Sequence, residues 1–356
     1  MEIVLIKVCV ALAPVVVLLV LFVTLDAFKL MSLGEVVFLL AAGGALAAAS
    51  YLANWKAMDE LPIGFTDYTK WAAPVVEESL KAALMMALFA RNRIGFMIDA
   101  AITGFAVGAG FSLVENVFYL WNFSREDLGV WLVRGFGTAV MHGGSAALFG
   151  ALGQFLTERS LKLEAARYRF NPLPYLPGLA VAIAVHSAFN HFPDHPLAAM
   201  LVTLIAIPLT LLLIFTRSAH AAHDWLLADY ESHEQLLDEI RSGRYQASEA
   251  GRFVLTLSES FDQETVTAAF DYIRVHTELV VRAEQVLIAN QSGETVSLGQ
   301  EVRDQFDRLH ALERRIGRAA LLALRPHLRF SRNDLWEMNE LESDARAARR
   351  RSPESR

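Results

Sequence analysis

Two adjacent glutamates, Glu77 and Glu78, stand in an otherwise apolar stretch, with Lys81 one helical turn further on. Glu115 with Asn116, then His142, then His186 with Asn190 follow, each again flanked by apolar residues. Carboxylates and imidazoles are the side chains that move protons, activate water and bind divalent ions. In lipid, each ionisable group costs at least about 2.5 to 3.5 kcal/mol on insertion scales, so each needs a partner or a purpose. Plainer roles exist for every one. Glu77 or Glu78 with Lys81 makes a buried ion pair that orients a helix, since side chains three or four apart meet. That accounts for one carboxylate and leaves the other. Glu115 has no cation on its own helix and must find one across the bundle. His142, beside Gly143 and Gly144, suits an interhelical hydrogen bond, and His186 with Asn190, one turn apart, suits a ligand pair, an oxyanion pair or a packing contact. The ordered set on successive spans is more specific than any member.

The elements that must position these groups follow from hydropathy. The chain has 356 residues, of which 54% are hydrophobic and 20% charged, against about 25% charged in average soluble domains. A bilayer core needs roughly 20 mostly apolar residues per helix. Seven stretches qualify: 8–25, 33–53, 71–90, 97–120, 130–156, 174–192 and 197–215. The fold class expected is therefore all-α, a polytopic membrane bundle of about seven transmembrane helices over residues 1–216. Residues 217–356 hold no Lys, many Arg, Asp and Glu, and no long apolar run, which predicts a soluble helical cytoplasmic domain. Ser258 to Ala289 reads there as an amphipathic helix with Phe261, Val266, Phe270, Ile273, Val280 and Leu287 on its apolar positions. Gly299 to Leu324 reads as another, with Gly293 and Gly299 at the turn. No known chemical spacing appears in that domain, so it reads as a bundle that packs on itself or on a protein partner.

Basic residues stay on the cytoplasmic side. Arg91 and Arg93, and Arg159, Lys162, Arg167 and Arg169, mark two inner loops, while 192–196 has no Lys or Arg. This places the amino terminus outside and Lys29, Arg217 and the carboxy terminus inside, with Lys56 and Lys70 dissenting. The first span reads as uncleaved, because Glu2 offsets Lys7 and its removal would reverse the parity of the basic loops. At about 1.5 Å per helical residue, Glu77, Glu78, Glu115 and His186 share a layer about 8 to 10 Å below the outer face, with His142 deeper. Gly104, Gly108 and Gly110, and Gly135, Gly137, Gly143 and Gly144, form small-residue faces for close helix packing. His191, Asp194 and His195 suit the solvent-facing end. The lone Cys9 excludes a disulfide framework or cysteine zinc site. With a net charge of −7 and only the short run Arg349, Arg350 and Arg351, no nucleic-acid partner is expected.

Glu77-Glu78 with Lys81, Glu115-Asn116 after Phe111, His142, and His186 with Asn190 together resemble the PrsW family of intramembrane proteases, within the group that includes the CAAX-processing and bacteriocin-processing enzymes. The resemblance covers approximately residues 53–215. It implies an intramembrane endopeptidase of a bacterial inner membrane that cleaves membrane-anchored proteins, with anti-sigma factors as the characteristic substrate. Two mechanisms fit the residues. In one, Glu115, His142 and His186 hold zinc while Glu77 or Glu78 is the general base. In the other, no metal binds, Glu77 or Glu78 together with Glu115 activates water, and His186 with Asn190 stabilises the oxyanion as in the CAAX proteases it resembles. Two histidines and a spare carboxylate favour the first. A transporter or a non-catalytic scaffold would bury similar groups, but no internal repeat supports the transporter.

Overall fold

The computed structural model describes residues 2–24, 33–123, 125–161, 170–192, 195–291, 294, 296, 298–324 and 332–351, and all regular structure among them is helical. The chain divides into two compact units, Met1–Lys162 with Phe170–Ala219 and Leu163–Arg169 with His220–Arg356. Lys29, Lys162, Arg167, Arg169, Asp194 and Gly293 lie outside the described residues, as do the side chains of Arg159, Arg217 and Arg349 to Arg351.

In the first unit, α1 (Glu2–Thr24) and α2 (Leu33–Glu60) precede α3 (Ala73–Ala90), α4 (Met97–Asn122), α5 (Ala139–Leu161), α6 (Leu176–Asn190) and α7 (Pro196–Arg241), whose residues up to Ala219 belong here. The hub is α4, with 83% of its apolar window buried. Glycine lets neighbouring backbones reach it. A Cβ on Gly104 or Gly108 would strike the carbonyls of Ala146 and His142 on α5, and one on Gly110 would strike that of Leu40 on α2. The outer helices show the reverse pattern. Only 17% of the apolar window Pro196–Ile214 is buried, and Leu201, Val202, Ile205, Leu209 and Leu213 face outward. An apolar surface of that extent is stable against lipid tails rather than water. The protein is an integral membrane protein.

Among the described residues, four helices are long and apolar enough to cross a membrane: Leu33–Glu60, Met97–Asn122, Leu173–Asn190 and Pro196–Ile214; Leu5–Leu21 is a shorter apolar helix. The regions 71–90 and 130–156 are helical but carry the polar groups, among them Glu77, Glu78 and Lys81 on α3 and His142 and Gln154 on α5. Their helical runs start earlier than hydropathy suggests. Phe65–Asp67 and a π-helical turn, Tyr68–Ala72, lead into α3, and Leu128–Leu132 and a second such turn, Val133–Thr138, lead into α5.

In the second unit, α7 continues from His220 and is followed by α8 (Glu249–Thr256), α9 (Gln263–Gln291), α10 (Gln300–Leu324) and α11 (Arg332–Arg351). The amphipathic stretch begins at Gln263 rather than Ser258, because the Asp262 carboxylate accepts from the Thr265 N–H at 2.7 Å and caps the helix there. Val266, Ile273 and Val280 of α9 meet Phe306, Leu309 and Ile316 of α10 and Leu341 of α11 in one core. At Gly317 the backbone turns to φ 76°, and α10 kinks.

Candidate active site

Pro74 organises the approach to the site. It has no N–H to donate, and its ring crowds the carbonyl of the preceding turn. The chain before it widens into the π-helical turn Tyr68–Ala72, where the Ala73 N–H reaches back to the Tyr68 carbonyl. Side chains of α6 donate to the carbonyls in between: Asn190 Nδ2 to Thr69 O at 2.9 Å and Ser187 Oγ to Lys70 O at 2.7 Å. These bonds clamp α6 to the entrance of α3 and bring His186, next to Ser187, against the two glutamates.

Glu78 is the centre of the network. Its Oε1 accepts from Lys81 Nζ at 2.6 Å and from His186 Nδ1 at 2.8 Å, and its Oε2 from Ser145 Oγ at 3.1 Å. Lys81 Nζ is also 3.0 Å from His142 Nδ1 and 4.9 Å above the Phe111 ring. An ammonium can only donate, so His142 Nδ1 accepts and Nε2–H faces Glu115 Oε2 at 2.9 Å. The cation that Glu115 needs is Arg134, with NH2 3.3 Å from Oε1. Asn116 steadies that arginine by accepting from its Nε at 3.1 Å while donating to Ala11 O on α1. Glu77 is held differently. Its Oε1 accepts from Asn54 Nδ2 at 3.0 Å, Tyr68 OH donates to Asn54 Oδ1, and its Oε2 lies 3.9 Å from His186 Nε2. Glu78, Lys81, His142 and His186 are all buried.

The residues singled out from sequence therefore converge, with one exception. Glu77, Glu78, Lys81, Glu115, His142 and His186 form one connected cluster, with the His142 and His186 rings 4.8 Å apart. Asn190 instead directs its amide N–H to the Thr69 carbonyl. Sequence reading passed over Asn54, Tyr68, Arg134 and Ser145. Arg134 carried the clearest signal, a cation within an apolar stretch, and Ser145 lies one turn after His142.

A metal ion fits this donor set. One ligand atom each from Glu77, His142 and His186 lies within 4.8 Å of the others, and nitrogen and oxygen donors on three residues are what catalytic zinc uses. His186 is already oriented for it, because Nδ1–H on Glu78 leaves the Nε2 lone pair toward Glu77. His142 fits on one condition: to ligate through Nε2 it must carry its proton on Nδ1, and Lys81 must turn wholly to Glu78. Glu115, beside His142 Nε2, can serve as a ligand or as a base. Residues 31–214 match the family described as PrsW family intramembrane metalloprotease. No curated protein and no solved structure matches the chain.

Proposed function

The chain belongs to the PrsW family of intramembrane metalloproteases, and on that premise we propose that it hydrolyses peptide bonds of membrane-anchored proteins at the cluster around Glu78. The observation that carries this reading is the convergence of Glu77, Glu115, His142 and His186 on one buried polar centre within apolar helices. In it, Glu77, His142 and His186 hold zinc, and Glu115 is the general base. A zinc ion there supplies Lewis acidity, polarising a carbonyl and lowering the pKa of water. The chain's own residues do the rest. Glu78 fixes the His186 tautomer, Asn54 and Tyr68 fix the Glu77 carboxylate, and Arg134 pairs with Glu115 and keeps it aimed at His142. Lys81 compensates Glu78, and Asn190 is a positioning residue that locks α6 to the π-helical turn. The exchanged assignment, Glu115 as ligand and Glu77 as base, uses the same histidines.

The topology that goes with this reading has about seven spans in a bacterial inner membrane, the amino terminus outside and residues 217–356 as a cytoplasmic helical domain. Lys7 Nζ donating to Glu126 O at 2.7 Å supports the start of α1 lying at the same end as the loop after α4. Anti-sigma factors, single-span proteins, are the substrate class that the family suggests. The test is co-reconstitution of purified protein with candidate single-span substrates. Cleavage that is chelator-sensitive in the parent and absent in Glu77→Gln and His186→Ala supports the reading, and undiminished cleavage by both variants overturns it. The Glu→Gln variant that keeps zinc but loses cleavage identifies the base.

A further inference from the structure

The second unit buries a polar cluster of its own. Asp229 and His233 lie one turn apart on α7, His276 and Glu284 two turns apart on α9, and Asp334 and Glu337 one turn apart on α11. Glu284 and Asp334 are 0% exposed, Glu337 1% and His233 5%. His233 joins the helices: Nδ1 is 2.8 Å from Glu284 Oε1 and Nε2 is 3.6 Å from Asp334 Oδ2. One ligand atom each from Asp229, His233 and Glu284 lies within 4.8 Å of the others.

A second observation points to something that these groups hold. Glu284 Oε2, Asp229 Oδ2 and both carboxylate oxygens of Glu337 are buried with no hydrogen-bond donor. Protein interiors seldom leave even one such atom unsatisfied. Among the described residues, none of these three carboxylates is paired with a lysine or arginine. Among the described residues, Asp229, Glu284 and Glu337 have no permanent counter-charge.

We propose that Asp229, His233 and Glu284 bind a divalent first-row transition-metal ion, manganese, iron or zinc, and that Asp334 and Glu337 complete its surroundings. Imidazole together with carboxylates and no thiol selects this class over calcium, magnesium or copper(I). Bonds of about 2.0 to 2.2 Å put ligand atoms at most about 4.4 Å apart, so only a small contraction is required. The ion takes the place of the shared protons and ties α7, α9 and α11 together. It does not depend on the protease reading, because its readouts are metal content and local stability.

The test uses the full-length protein in detergent, stripped with a chelator and reloaded with Mn²⁺, Fe²⁺ or Zn²⁺ alone. The parent is expected to retain one ion per chain more than the double variant Asp229→Asn, Glu284→Gln, and His186→Ala is expected to keep that ion. Metal should slow amide hydrogen exchange in α9 and α11 at least ten-fold in the parent and leave the double variant unchanged. Should the double variant fail to fold, Asp334→Asn substitutes for it, with affinity lowered about 10- to 100-fold as for an outer partner of a ligand. Equal metal content and equal exchange response in parent and variants, or no retained ion with any of the three metals, would overturn the proposal and leave a proton-sharing network around His233.

Discussion

Both units bury carboxylates with histidines, yet they compensate them by different means. In the first, Glu78 meets Lys81 and Glu115 meets Arg134, so two of three carboxylates have a permanent cation, and Glu77 still has the Asn54 amide. In the second, Glu284 and Asp334 flank His233, and buried oxygens of Asp229, Glu284 and Glu337 are left without a hydrogen-bond partner. A helix that enters lipid cannot rely on water to solvate an unmatched charge, so its counter-charges belong in the chain. The second cluster relies on exchangeable ones, protons or a metal ion. The difference teaches that equal burial does not mean equal sensitivity: deleting one carboxylate should do harm in the first cluster and bring relief in the second.

The largest expected effect tests whether compensation in the first cluster serves chemistry. Glu115→Gln or His186→Ala should lower cleavage of a membrane-anchored substrate about 10²- to 10⁴-fold, the usual contribution of a positioned acid or base, with helix content unchanged by circular dichroism. Full cleavage by Glu115→Gln would reduce Glu115 to the ion pair with Arg134. Next, Lys81→Ala strands Glu78 and should destabilise the detergent-solubilised protein by about 3 to 5 kcal/mol, read by thermal unfolding, while activity per folded molecule falls less. Adding Glu78→Gln to that variant should restore part of the loss. An undiminished Lys81→Ala would break the comparison. Neutralising a carboxylate of the second cluster should have the opposite sign: in metal-free protein, Glu337→Gln should stabilise the second unit by about 1 to 3 kcal/mol, measured by hydrogen exchange in α11. The smallest effect is acidic. Burial, with the nearby His233 charge, lowers His276 to about 3, so its contribution to stability is complete above about 6.5 and is lost as pH falls from there toward 3. Asp229, Glu284 and Glu337, whose values are raised, run the opposite way. The difference in unfolding between parent and His276→Leu across pH 7 to 4 isolates the histidine, and a flat difference would refute its burial as a neutral ring.

Much of the first unit was legible because lipid makes polarity conspicuous. Glu77, Glu78, Glu115, His142 and His186 stood out against apolar neighbours, and the demand that Glu115 find a cation across the bundle is met by Arg134. The partners that carry no charge were not legible. Asn54 lay just beyond the end assigned to the second span, whereas α2 continues to Glu60, and Tyr68 lay in the presumed loop that is helical. His142, expected deeper than the other four by residue count, meets Lys81, which lies one turn past Glu77 on α3, and reaches Glu115 through its other ring nitrogen. The cluster in the second unit left little trace in sequence. Its members come from three helices at ordinary spacings, against a background already rich in charge, so only tertiary structure brings them together. The kink at Gly317 was equally hidden.

The π-helical turn before Pro74 has a consequence for how the site depends on chain length. A turn of this kind holds one residue more than the α-helix it interrupts, so everything after it is rotated by about 100° relative to an uninterrupted helix. It works as a phase setting. A chain lacking one residue between 68 and 72 would keep every glutamate and histidine, the same hydropathy and nearly the same mass, yet Glu77 would no longer point toward His186. The chemistry is written in angular register as much as in residue type, and an otherwise silent shortening of the chain would be enough to disarm it.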